Sequence, residues 1–223
     1  GRQTKVKIKN VLSDPVSLET GVGEGSVLGP NFFSCGMTDV STIASRVKED
    51  LYNTDKVDIW VSQIEYADDC TPVMAANTED DLQLASDKML AGYNSFYSAN
   101  GLKLNESKCK LLVIRPGKKV KTLTCAGQDE VDQLRLLGLY IDNKLKYDVH
   151  TNVVRGRIKG KLEALERVQG KASLKTMTEC TVSLIHSSIE FCAELYLRDP
   201  TNQKRIQKML NAVMRMLLDQ KMG

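Results

Sequence analysis

Apolar and polar positions along the chain change period several times, and each change marks an element. Thr4-Lys5-Val6-Lys7-Ile8-Lys9 alternates basic and apolar residues at period two, and Leu12-Ser13-Asp14-Pro15-Val16-Ser17-Leu18 follows after a turn, so two strands open the chain. Gly21 to Pro30 holds four glycines in ten residues and predicts a backbone-exposing loop that enters a helix near Asn31-Phe32-Phe33. The apolar runs Val57 to Ile64 and Cys70 to Ala75 flank the acidic tetrapeptide Tyr66-Ala67-Asp68-Asp69, which predicts a hairpin with acid at its turn. From Asn77 to Tyr97 the period becomes helical: Asn77 or Thr78 caps, Glu79, Asp80 and Asp81 fill the first turn, and Leu82, Ala85, Met89, Tyr93 and Phe96 form the buried stripe. Gly101 ends that helix.

Short strands are predicted next: Leu111 to Ile114, Val120 to Cys125 after a Pro116-Gly117 turn, and Leu134 to Ile141 around Gly138. From about Thr151 the pattern is helical again, with Val154, Ile158, Leu162, Leu165 and Val168 on one face. Val182 to Leu197 predicts a further helix. Asp199-Pro200-Thr201 then breaks and recaps the chain, and Ile206, Leu210, Val213 and Leu217 mark a last amphipathic helix. Strands and helices mix up to Ile141 and only helices follow, so a second, helical lobe begins at about Thr151.

Composition changes this picture little. The chain has 223 residues, 42% hydrophobic and 26% charged, which suits a folded protein with one large core or two modest ones. Its net charge of +3 does not announce a nucleic-acid binder, but the distribution does more. Between Lys144 and Lys175 stand nine Lys or Arg residues against three acids, a basic stripe suited to a phosphate backbone or to a solvated helix face. Six cysteines with no CxxC spacing read as reduced thiols, and His150 and His186 have no metal-ligand spacing. No apolar run approaches the roughly eighteen residues of a membrane span. The expectation is an intracellular protein, nuclear or cytoplasmic, with no membrane partner.

The chemistry with the sharpest outline is the acidic turn. Two adjacent carboxylates between strands suit a hard cation such as Mg²⁺, held through carboxylate oxygens and substrate phosphates, although Asp also favours ordinary turns.

The order of motifs adds to this. Gly25-Ser26-Val27-Leu28-Gly29-Pro30, then Tyr66-Ala67-Asp68-Asp69, then a helix ending in Asn100-Gly101-Leu102-Lys103-Leu104-Asn105-Glu106-Ser107-Lys108, then Leu136-Leu137-Gly138-Leu139-Tyr140-Ile141-Asp142, resembles the reverse transcriptases of non-LTR (LINE-type, jockey-like) retrotransposons over nearly the whole chain. Arg2 to Ile8 resembles the strand before that family's motif B, Thr20 to Phe33 motif B, Tyr66 to Asp69 motif C, Asn100 to Cys109 motif D and Leu136 to Asp142 the primer-grip motif E. The resemblance implies an α+β fold: a polymerase palm over 1–143, an antiparallel sheet backed by helices, followed over 144–223 by a helical thumb and C-terminal helices. It implies an RNA-directed DNA polymerase, a nucleotidyltransferase that uses two Mg²⁺ ions on an RNA template and a DNA primer. Asp68 would be the direct metal ligand with Asp69 in support, and Lys108 the motif D lysine at the pyrophosphate. Gly25, Ser26 and Tyr66 would lie near nucleotide and template, Leu137 and Gly138 would grip the primer, and Arg155, Arg157, Lys159 and Lys161 would track the nucleic-acid backbone.

The sequence also departs from the family. The aspartate-bearing motif A would lie before motif B, and these residues do not include it, so Mg²⁺ is expected to bind weakly and the chain by itself not to polymerise. The N-terminal half would then either be absent from these residues or be supplied or replaced by another protein chain. Gly23-Glu24 stands where the family commonly has Pro-Gln, and Pro72 enters the strand that leaves the acidic turn, where it is expected to remove a ladder donor. The alternative function is a domesticated, non-catalytic scaffold or interaction protein derived from a reverse transcriptase. A third reading is a nucleic-acid binder that uses the basic helix alone.

Overall fold

A computed structural model describes residues 2–18 and 27–219. The chain is α+β, and among the described residues its strands pair as five separate two-stranded antiparallel sheets. It divides into two compact units. One comprises Gly1–Cys109 with Val120–Asp129, the other Lys110–Lys119 with Glu130–Gly223.

The first unit opens with a hairpin of β1 (Arg2–Thr4) and β2 (Lys7–Ile8) returning through β3 (Val11–Leu12) and β4 (Val16–Leu18). The expected strands form here, but every residue from Gln3 to Ser17 is exposed. Pairing steps from Thr4 against Val16 to Lys7 against Leu12, so two residues oppose three around Asp14-Pro15 and the strands are interrupted there.

Helix α1 (Gly29–Met37) starts with Pro30 in its first turn, where a missing N–H is harmless. A 3₁₀ turn (Thr38–Ser41) leads into α2 (Thr42–Asp50), and a widened turn (Leu51–Asp55) closes on Lys56 in the left-handed region. Next come β5 (Trp60–Tyr66), β6 (Asp69–Ala75) and α3 (Glu79–Ala99). The cap of α3 is Thr78, whose hydroxyl accepts from the Asp81 N–H at 3.0 Å. Ala85, Met89, Tyr93 and Tyr97 of α3 are buried against Ile43, Ala44 and Val47 of α2, Met37 of α1, and Val40 and Leu51 of the turns flanking α2. Gly92 permits the close approach, because a Cβ there would meet Ile43 Cγ2 at 2.8 Å.

After the short turn Glu106–Lys108, the segment that rejoins this unit is bound to the start of α3 by side chains. Glu79 accepts from the Lys121 N–H at 2.8 Å, and Gln83 both accepts from the Thr124 N–H at 2.8 Å and donates to the Thr124 carbonyl at 3.0 Å. The strand expected over Val120 to Cys125 shrinks to β7 (Thr124–Cys125), paired with β8 (Gln128–Asp129). These side-chain bonds satisfy backbone that a ladder would otherwise serve.

In the second unit the expected strand Leu111 to Ile114 reduces to a single parallel bridge between Leu112 and Val131. The expected strand Leu134 to Ile141 is two strands, β9 (Gln133–Leu136) and β10 (Leu139–Asp142), folded back at Leu137-Gly138. Helix α4 (Asp148–Glu166) buries Val154, Ile158, Leu162 and Leu165 as the spacing requires, whereas Val168 lies past its end and is exposed. α5 (Leu174–Thr181), begun by the Ser173 cap, had no sequence signal strong enough to be expected. The helix expected over Val182 to Leu197 is broken: a widened turn (Val182–His186) runs into α6 (Ser187–Glu190), the chain bends at Phe191, Cys192 takes φ +57°, and α7 (Ala193–Tyr196) follows. The last helix, α8 (Pro200–Asp219), begins where expected, with the Asp199 carboxylate accepting from the Thr201 N–H at 2.6 Å. Ile206, Val213, Met216 and Leu217 of α8 join the α4 stripe, Met177, Ile185, Ile189 and Tyr196 in one core.

Candidate functional site

The acidic turn forms as the alternation of apolar residues predicts. β5 and β6 pair from Trp60 with Ala75 to Tyr66 with Asp69, leaving Ala67 and Asp68 as a two-residue loop. Ala67 takes φ +54°, a left-handed conformation that costs an alanine about 1 kcal/mol. Tyr66, Ala67, Asp68 and Asp69 are all exposed, and neither carboxylate has an ion-pair partner among the described residues.

The hairpin has two unlike faces. Val61, Gln63, Cys70 and Met74 turn toward α2 and α3, where Val61, Cys70 and Met74 join the core. The alternate residues Trp60, Ile64, Tyr66 and Val73 stay open, Trp60 at 55% and Tyr66 at 64% exposure. Pro72 corrects one expectation. Tyr66 and Asp69 close the turn as a hydrogen-bonded pair, so alternation makes Gln63 and Pro72 a non-bonded pair. The missing N–H of Pro72 would face the outer edge, and no ladder bond is lost.

Behind the turn lies a hydrogen-bond relay that sequence reasoning missed. Cys70 Sγ donates to Tyr93 Oη at 3.2 Å, and Tyr93 Oη donates to Gln63 Oε1 at 2.8 Å. Gln63 Nε2 donates to the Val40 carbonyl at 3.2 Å and to Glu65 Oε1 at 2.7 Å. Burial pushes the Cys70 thiol and the Tyr93 phenol up, the Cys70–Tyr93 contact adding to the rise on Tyr93 and opposing it on Cys70. Both stay protonated and able to donate. Tyr97, stacked on Tyr93 with ring centroids 6.3 Å apart, is pushed up to about 12, by burial first and then by the charges of Cys70, Glu65 and Asp68 among others. The available signal in the sequence was Gln63 itself, a polar residue at an inward position beside Val61.

Among the described residues no group of three or more His, Cys, Asp or Glu side chains is set to hold a metal ion. Two adjacent exposed carboxylates do fit a single Mg²⁺, which takes one or two carboxylates and completes its shell with water and phosphate. Lys108 ends the turn Glu106–Lys108 and is exposed, with no bond to Asp68 or Asp69 among the described residues. Gly25 and Ser26, with Gly23-Glu24, lie outside the described residues.

The remaining candidates belong to the second unit. Leu137 and Gly138 form the turn between β9 and β10, with φ of +47° and +95°. Glycine adopts that conformation freely, whereas Leu137 is strained and keeps its apolar side chain half-exposed. Gly138 rests near Phe191, whose ring a Cβ would meet at 3.4 Å. The basic residues of α4 separate by role. Arg155, Arg157 and Lys159 are exposed, Lys159 near Glu163 at 3.8 Å, while Lys161 is half-buried and donates to the Leu184 carbonyl at 2.7 Å and to Ser188 Oγ at 2.5 Å. The Lys161 ammonium thus joins α4 to α6 and the turn before it and does not form part of the exposed basic set.

Two structural roles were also invisible in the sequence. The Asp142 carboxylate accepts from the N–H groups of Lys144, Lys146 and Tyr147 at 3.0, 3.1 and 2.5 Å, fixing the loop into α4. His150 is fully buried between Phe191 and Tyr196, its Nδ1 accepting from the Tyr140 N–H at 3.4 Å. No helix of the described residues is long and apolar enough to cross a membrane. No protein-family model, curated protein or solved structure matches the chain.

Proposed function

We propose that this chain is palm and thumb of an RNA-directed DNA polymerase of the non-LTR retrotransposon type, with the β5–β6 turn as its metal-binding point. The observation that carries the reading is the exposed two-residue turn bearing Asp68 and closed by Asp69. It gives the ordered motifs of the sequence a physical counterpart: two hard ligands at the tip of a hairpin whose inner face is held by a helix. Asp68 and Asp69 would hold Mg²⁺, which, when bound, supplies electrostatic stabilisation to the oxygens exchanged in phosphoryl transfer. Lys108 would neutralise the departing pyrophosphate, the Leu137-Gly138 turn would hold the primer, and Arg155, Arg157 and Lys159 would pair with backbone phosphates.

Primer extension on an RNA template with Mg²⁺ tests this, run with the chain alone and with an upstream reverse transcriptase segment carrying a motif A aspartate added in trans. The expected result is extension that requires the added segment and is lost by at least about a hundredfold in Asp68→Ala. Extension indifferent to Asp68→Ala overturns the assignment.

A second reading, a non-catalytic scaffold of the same origin, is favoured by the apolar side chains left open on β5 and β6 and along the first hairpin, where Ile8 and Val11 are exposed. It predicts no extension with the added segment.

A further inference from the structure

The inner face of the β5–β6 hairpin is apolar except at Gln63 and at the rim, where Glu65 stands, and Gln63 meets a buried tyrosine from 30 residues further along the chain. Tyr93 is 6% exposed. Its hydroxyl takes one bond from β6 and gives one to β5, so a single side chain of α3 grips both strands. The donors run in one direction. Cys70 S–H points to Tyr93, Tyr93 O–H to Gln63, and the Gln63 amide to the Val40 carbonyl and the Glu65 carboxylate. Each group has one consistent role, which also fixes the orientation of the Gln63 amide. Cys70 adjoins Asp69, and it lies opposite Glu65 one pair below the Tyr66–Asp69 pair that closes the turn. A two-stranded hairpin alone is marginal in water and frays from its tip. Packing of Val61 and Met74 holds the far end, and the relay is the polar anchor nearest the turn.

We infer that Tyr93 is a positioning residue, which through Gln63 and Cys70 holds the Ala67-Asp68 turn so that Asp68 and Asp69 present their carboxylates together to a divalent cation. The inference rests on the metal-site reading above and adds to it the device that preorganises the two ligands. Groups that orient metal ligands without touching the metal commonly change affinity by about ten- to a hundredfold when removed.

The test uses the full chain and two NMR readouts, amide exchange at Tyr66 and Asp69 without metal, and Mn²⁺-induced broadening at Asp68 and Asp69. In Tyr93→Phe and in Gln63→Leu, exchange at the closing pair should rise about fivefold and the Mn²⁺ dissociation constant about tenfold. The double variant should add little to either, because the two groups act as one unit. Tyr97→Phe serves as the control: its hydroxyl makes no hydrogen bond among the described residues, and exchange and affinity should match the wild type. Unchanged exchange in Tyr93→Phe overturns the positioning role whatever the metal does. Faster exchange with no wild-type Mn²⁺ broadening at Asp68 and Asp69 overturns the metal-site reading and leaves Tyr93 as a hairpin anchor only.

Discussion

His150 shows how one buried side chain can make a helical unit sensitive to pH. Its Nδ1 accepts from the Tyr140 N–H, so the neutral ring carries its proton on Nε2, which is buried with no hydrogen-bond partner among the described residues. Burial, and then the nearby Arg157 charge, lower its pKa below the ordinary 6.5, with the Phe191 carbonyl opposing. The unfolded chain therefore takes up a proton at a pH where the folded one still refuses it. Stability is fully present above about pH 6.5, is lost as pH falls from there toward the depressed folded value, and levels off below it. Urea midpoints measured from pH 7.5 to 5 should fall in the wild type and flatten in His150→Gln. A wild-type slope no steeper than the variant's would remove His150 as the cause.

At the scale of elements, the closest approach is between α2 and α3, and it depends on Gly92. A helix interior favours alanine over glycine by about 1 kcal/mol, yet a Cβ at 92 would lie 2.8 Å from Ile43 Cγ2. Ile43 is β-branched and stiff in its helix, so it cannot swing aside. Overpacking costs about 1 to 3 kcal/mol, and Gly92→Ala should lower stability by about 1 kcal/mol net, read by urea denaturation. In an Ile43→Ala background the same change should become neutral or stabilising, since the methyl it strikes is gone. The same elements show what the sequence carries. α3 was legible because cap, acidic first turn and apolar stripe are local and agree, and the acidic turn was legible because two apolar runs bracket it. α2 was not, since its cap makes no side-chain bond and its buried Ile43, Ala44 and Val47 span a single turn of spacing. The β9–β10 turn was misread as continuous strand because Leu137 occupies a left-handed position where Asn or Gly would have given the signal. The relay behind Asp68 and Asp69 was hidden for a different reason: Cys70 and Gln63 meet Tyr93 across 23 and 30 residues, a distance at which spacing carries no information.

Over the whole molecule, charge separates residues that composition treats alike. The net +3 gives only a weak overall field, so any hold on nucleic acid must come from local groups with free ammonium or guanidinium ends. Arg155, Arg157 and Lys159 project from α4, whereas Lys161 spends its donors on Leu184 and Ser188. Phosphate contacts release counterions, and each contributes about 0.9 to the slope of log affinity against log salt on a duplex. If α4 tracks a template–primer backbone through its exposed basic residues, Arg155→Ala, Arg157→Ala and Lys159→Ala should each weaken binding and reduce the slope by about 1. Lys161→Ala should leave the slope unchanged and lower the urea midpoint, because it breaks a bond inside the unit and no contact outside it. Fluorescence anisotropy with a labelled RNA–DNA hybrid between 50 and 300 mM salt measures all four. Equal slopes in the wild type and the three exposed variants would remove α4 from the nucleic-acid surface. A loss of slope in Lys161→Ala would mean that the Leu184 and Ser188 bonds open when the hybrid binds.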